Sequence, residues 1–105
     1  MTIGLAISND TPIETLEPFL DYVSYVQCMG IEKVGFQGQD FDNRVVDRIS
    51  YLKRTYPHLT LAVDGAVSTE TARMLKDSGA SNLVVGSGIL KADDPKEAIN
   101  TLEKI

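Results

Sequence analysis

The chain has 105 residues and a mass of 11.5 kDa, room for one domain spanning 1–105 with a core of its own and too little for two. Hydrophobic residues make up 43% and charged residues 24%, which is ordinary globular usage and excludes a disordered tract. Ten Lys and Arg face 15 Asp and Glu, a formal charge of −5 that argues against nucleic acid or an anionic membrane as the partner.

Read in chain order, short apolar runs alternate with longer amphipathic ones four times. Ile3-Gly4-Leu5-Ala6-Ile7 predicts a first strand and ends in turn chemistry at Ser8-Asn9-Asp10. A helix follows, capped by Asp10 or Thr11 with Pro12 in its first turn. It carries Ile13, Leu16 and Leu20 at helical spacing, and Pro18 bends or shortens it. Tyr22 to Met29 is rich in aromatic and β-branched residues and reads as strand two. Gly30 to Asp40 is a long loop. Asp42 caps a strong helix whose apolar face is Val45, Val46, Ile49, Leu52 and Tyr56, and Pro57 stops it.

Thr60-Leu61-Ala62-Val63 is strand three, ending at Asp64-Gly65. Ser68-Thr69-Glu70 opens the next helix, with Ala72, Met74 and Leu75 inside and Gly79 as its C-terminal cap. Asn82 to Val85 is strand four, ending at Gly86-Ser87-Gly88. Pro95 opens a last helix with Ala98, Ile99, Leu102 and Ile105 on its buried side. The order is (βα)₄, with unbroken apolar strands of the kind a parallel sheet buries on both faces. The loops after Ile7, Met29, Val63 and Val85 lie at the edge where α/β folds bind ligands.

Asp64 is the first candidate for chemistry. A carboxylate at the mouth of a buried strand is costly unless solvated, paired or metal-bound. It reads equally as an acid/base or metal ligand and as a cap for the following turn. Gly86-Ser87-Gly88 can cradle a phosphate with backbone N–H groups, which needs no net positive charge, although as a bare tripeptide it is first of all a flexible turn. Gly35, Phe36, Gln37 and Gly38 sit in a loop longer than most connections, and such a loop is either functional or merely Gly-rich. Met29 lines a site or packs in the core. His58 enters strand three from the edge opposite the ligand edge. Cys28, the single cysteine, reads as a buried, inert thiol and rules out an intrachain disulfide. No apolar run approaches the roughly 20 residues that span a bilayer, and the start lacks a signal-peptide pattern. The expectation is a cytoplasmic chain with no membrane partner.

In order and in register, these segments resemble the C-terminal half of the ribulose-phosphate 3-epimerase family, a (β/α)₈ TIM barrel. Gly35-Phe36-Gln37-Gly38-Gln39-Asp40-Phe41 is similar to that family's Gly-Phe-Gly-Gly-Gln-x-Phe loop after strand six. Val63-Asp64-Gly65-Ala66-Val67 is similar to its Val-Asp-Gly-Gly-Ile after strand seven, and Val85-Gly86-Ser87-Gly88-Ile89 to its Ala-Gly-Ser-Ala-Ile/Val after strand eight. Gln37 and Ala66 each replace a family glycine.

The resemblance implies that Asp64 is both a metal ligand and an acid/base at carbon 3, and that Met29 shields the enediolate. It implies that Gly35, Phe36, Gln37, Gly38, Gly65, Ala66, Gly86 and Ser87 hold the sugar phosphate. In the complete barrel it implies a divalent metal (Zn, Fe, Mn or Co), with none held tightly by this chain alone. A full barrel needs roughly 250 residues, and the family's second aspartate and its histidines belong to the other half. The expected partners are a pentose phosphate or phosphate, and a second copy or a complementary half-barrel. One chain alone is not expected to epimerise. A binding module for sugar phosphates and a purely structural half-barrel are the competing readings.

Overall fold

The period-two alternation of apolar residues in the strands and the 3.6-residue period between them produce a sheet with helices packed on it. A computed structural model describes residues 2–30, 41–65 and 67–105. In chain order the elements are β1 (Gly4–Ile7), α1 (Ile13–Leu16) running into a 3₁₀ turn (Glu17–Tyr22), β2 (Tyr25–Met29), α2 (Arg44–Thr55), β3 (Thr60–Asp64), α3 (Thr69–Ser78), β4 (Asn82–Val84), α4 (Ser87–Leu90) and α5 (Pro95–Glu103). The strands form one sheet in the order β1-β2-β3-β4, and each neighbouring pair is parallel. Sequential order with every neighbour parallel is the arrangement of half a (β/α)₈ barrel, as the sequence predicts.

Register assigns every strand residue to a face. Leu5, Val26 and Leu61 form one row, and Ile7, Cys28, Val63 and Leu83 form the next. These rows lie under the helices, where Val26, Cys28, Leu61 and Val63 are fully buried with Val45, Ile49 and Leu52 of α2 and Ala72 and Leu75 of α3. The alternate residues form the opposite face: Gly4, Tyr25 and Thr60, then Ala6, Gln27, Ala62 and Asn82, then Met29, Asp64 and Val84. No described helix packs on that face, and Ala6, Tyr25, Thr60, Asn82 and Val84 are exposed there. The expectation of strands buried on both faces is therefore corrected. One face is covered, because all the long helices lie on the same side. On the open face the Tyr25 ring lies over Gly4, so closely that a Cβ on Gly4 would collide with it.

Several boundaries also differ from expectation. Pro12, not Asp10 or Thr11, occupies the position before α1, and no side chain caps that helix. Pro18 has no N–H to donate and its ring crowds the preceding turn, so the α-helix stops at Leu16 and continues as the 3₁₀ turn. That turn holds Tyr22, and β2 accordingly begins at Tyr25. Asn43 precedes α2, although Asp42 still accepts the Arg44 N–H at 3.1 Å. Strand four stops at Val84, one residue short of Val85. Met74 is 42% exposed, since Ala72 and Leu75 alone set the inward line of α3. Neither Ala98, Ile99, Leu102 nor Ile105 is fully buried. The short β4 leaves a groove of about 620 Å³ beneath α5, lined by Leu83, Val85, Ile99 and Leu102 among others.

The other caps are as read. Ser68 Oγ accepts from the Thr71 N–H at 3.3 Å while Thr71 Oγ1 accepts from the Ser68 N–H at 2.7 Å, a capping box opening α3. Gly79 closes α3 at φ 122°, and Asp94 caps α5 ahead of Pro95.

The two faces differ in what a truncation costs. Leu61→Ala leaves a cavity in the covered face and is expected to lower unfolding free energy by about 2–5 kcal/mol. Met74→Ala is expected to change it by no more than about 0.5 kcal/mol. Denaturant titration followed by circular dichroism measures both, and equal losses would contradict the one-sided core.

Candidate functional site

Asp64 is the last residue of β3, and the alternation that buries Leu61 and Val63 sends its side chain to the open face. Met29, the last residue of β2, is its register partner, so the two stand on adjacent strands about 4.8 Å apart. Both are half-buried. The sequence marks these two residues separately, and the sheet brings them together at the C-terminal edge.

The backbone around them is tight. Gly30 donates its N–H to the Asp64 carbonyl at 2.8 Å, and the Asp42 N–H donates to the Gly30 carbonyl at 2.8 Å. A Cβ on Gly30 would collide with the Gly65 carbonyl. Gly65 itself adopts φ 104°, a conformation that side chains disfavour. The ends of β2 and β3 therefore meet backbone to backbone beside Asp64. The sequence presents Gly30 only as the first residue of a loop, although a glycine directly after an apolar strand end does mark close approach.

On the next strand, Gly86 follows β4, and its carbonyl accepts the Ile89 and Leu90 N–H groups at 3.0 and 2.9 Å in the single turn of α4. A Cβ at Gly86 would meet nothing within 4 Å, so open space adjoins the backbone where a ligand would approach. Ser87 begins α4. Gly35, Phe36, Gln37, Gly38 and Ala66 lie outside the described residues.

The sequence analysis does not single out Arg44 and Arg48, which stand near the C-terminal end of β1. Arg48 Nη1 donates to the Asn9 carbonyl at 3.3 Å and its Nη2 donates to the Thr11 carbonyl, tying the loop after β1 to α2. Arg44 pairs with Asp42 at 2.7 Å and with Asp10 at 3.4 Å. Hydrogen bonds from Arg44 hold the Asp42 carboxyl below the usual carboxylate range. Their signal in the sequence is a pair of cations one helical turn apart at the start of a helix that follows a strand-end loop. His58 is exposed, with its ring edge-on to Tyr56 at 6.4 Å on the opposite edge, away from this site as expected.

A model of the ribulose-phosphate 3-epimerase family matches residues 1–90. The chain belongs to that family. Ribulose-phosphate 3-epimerase of Schizosaccharomyces pombe is 33% identical over 102 residues, covering 97% of this chain and 44% of that protein. The Bacillus subtilis ribulose-phosphate 3-epimerase is 33% identical over 104 residues, covering 94% of this chain and 48% of its own length. The chain thus spans about half the length of the curated relatives it matches. Among solved structures, KGPDC from Streptococcus mutans in complex with ribose 5-phosphate superposes with a TM-score of 0.78 at 16% identity, over 98% of this chain and 47% of that one. At that identity the likeness is one of fold.

Family membership raises the question of a divalent metal, and the residues answer it in part. Asp64 supplies one oxygen donor group at the site. Among the described residues no cluster of three His, Cys, Asp or Glu side chains is placed to hold an ion. A stable site for such a metal needs several converging ligands, so these residues do not make one by themselves.

The packing at the strand ends separates the two glycines. Gly30→Ala forces the ends of β2 and β3 apart and is expected to destabilise by about 1–3 kcal/mol, whereas Gly86→Ala is expected to be nearly neutral; thermal unfolding of both variants reads the difference. Cys28 lies behind the site, where burial pushes its thiol up to about 11 against the pull of Arg48. A thiol-specific chromogenic reagent at pH 8 is expected to leave the native protein unlabelled and to react with one thiol per chain after denaturation.

Proposed function

We propose that this chain is the half of a pentose-phosphate 3-epimerase that grips the phosphate and carries one acid/base group. The observation that carries this reading is the grouping, within a member of the epimerase family, of Asp64, Met29 and the open backbone at Gly65 and Gly86 on one uncovered sheet edge. The relatives named above are epimerases, and the KGPDC structure holds ribose 5-phosphate. Both support a pentose phosphate as ligand in a cytoplasmic setting.

The chemistry required is proton removal from the carbon beside a ketone and its return on the other face. In this reading the Asp64 carboxylate takes the proton from carbon 3, the C–H electron pair enters an enediolate, and Met29 offers that intermediate an apolar neighbour. Backbone N–H groups at the ends of β3 and β4 hold the phosphate at the far end of the sugar and so fix which carbon reaches Asp64. One carboxylate serves one face. Return of the proton to the opposite face needs a second group.

Binding without turnover is the competing reading, favoured by the single carboxylate on the described open face. Isothermal titration with ribulose 5-phosphate is expected to show binding that Gly86→Val weakens at least tenfold, since that side chain enters open space and leaves the fold intact. Equal affinity in both proteins would reject the phosphate placement. The acid/base role has its own measurement. In D₂O, one face-selective base exchanges the carbon-3 hydrogen of ribulose 5-phosphate even where no epimer forms. Loss of that proton signal in the NMR spectrum, abolished by Asp64→Asn, is expected. Its absence in the unmodified protein would leave the binding reading.

A further inference from the structure

We propose that the open face of the sheet receives a second copy of this chain, and that two half-barrels close into one eight-stranded ring with a two-fold axis through its centre. Area is the first argument. The chain exposes 6738 Å², whereas a compact monomer of this mass exposes about 5,800 Å². The excess of roughly 900 Å² is close to the ~800 Å² that each partner contributes to a standard stable interface.

Topology is the second. β1 and β4 are the two ends of the sheet, and each has a neighbour on one side only. Placing β4 of one copy beside β1 of the other continues the order β1-β2-β3-β4 around the ring with all strands parallel. The same junction then recurs on the opposite side, as two-fold symmetry requires. Closure pairs both edges at once.

Charge selects the occupant. Among the described strand residues, the open face carries one charged side chain, Asp64, at its rim. Beneath it Tyr25, Gln27, Thr60 and Asn82 are neutral, and each can both donate and accept hydrogen bonds, interleaved with the small residues Gly4, Ala6 and Ala62. Such a face is complementary to itself: two copies meet through groups of either polarity and bring no like charges together at the centre. Its strands add nothing else to the net charge of −5. Strand three of one copy then stands diametrically opposite strand three of the other. Two Asp64 carboxylates face each other across the mouth, which, on the function proposed above, supplies the second acid/base group that one chain lacks.

Sedimentation equilibrium at micromolar concentration tests this without any ligand. The expected mass is twice the chain mass of 11.5 kDa. Val84→Lys, at a position 46% exposed on the open face, and Ala6→Lys are each expected to raise the dimer dissociation constant at least tenfold. Their far-UV circular dichroism should be unchanged, because neither side chain touches the covered core. Met74→Lys, on the helix side, should leave the dimer intact.

A monomer at every concentration would overturn the proposal, even one that binds an isolated N-terminal half of a relative. So would masses that climb beyond two chains, or a dimer broken by Met74→Lys and unaffected by Val84→Lys and Ala6→Lys. The sugar-phosphate reading fails separately: Gly86→Val alters titration with ribulose 5-phosphate and should leave the mass of the dimer unchanged.

Discussion

Val26, Cys28, Leu61 and Val63 lie side by side beneath α2 and α3 with no exposure at all, and the rest of the molecule is placed by reference to them. Burying these four fixes the register of the strands, because a slip of one residue would exchange the two faces. With the register fixed, the alternate residues have no choice of direction. Met29 and Asp64 become neighbours on the open face because Cys28 and Val63 are neighbours on the covered one. The site is in this sense a by-product of the core, and its precision is the precision of the packing behind it.

The helices are pinned to this sheet by polar contacts kept away from the candidate site. Glu17, on the 3₁₀ turn, accepts hydrogen bonds from Tyr51 at 3.2 Å and Tyr56 at 2.8 Å. The bond to Glu17, with burial, pushes the Tyr56 hydroxyl up to about 12. This clamp joins the segment after β1 to the far end of α2. Arg48 secures the near end of the same pair through the Asn9 and Thr11 carbonyls. Between them the two contacts stop α2 rotating on the sheet, which keeps Val45, Ile49 and Leu52 in the core.

Much of this architecture is legible in the sequence, and the exceptions share a cause. Val26, Leu61 and Val63 announce strands because β-branched and apolar residues in short runs between turn signals have few alternatives. Ser68, Gly79 and Pro95 mark helix ends by local chemistry that needs no tertiary information. Met74 and Ile99 mislead because helical spacing shows which residues share a face but not how wide the covered stripe will be. The half-open sheet escapes the sequence for the same reason: Ala6, Ala62 and Val84 are as apolar as a buried face requires, and only the placement of the helices reveals which side lacks cover. At the site, Asp64 stands out through its position at a strand end. Gly30 does not, because its importance arises from the Gly65 carbonyl, 35 positions further along the chain.

Gly30 and Asp42 are joined by the 2.8 Å bond between the Gly30 carbonyl and the Asp42 N–H, so the chain enters and leaves the intervening stretch at one point. A connection closed at its base in this way behaves as an interchangeable cassette. Its length and composition can be rewritten without moving β2 or α2, since both ends are held by a bond that the inserted residues do not make. The entropic penalty is mild, about 0.6 kcal/mol for each doubling of loop length. New recognition chemistry can thus be tried over the sheet edge while the strand that carries Asp64 keeps its position.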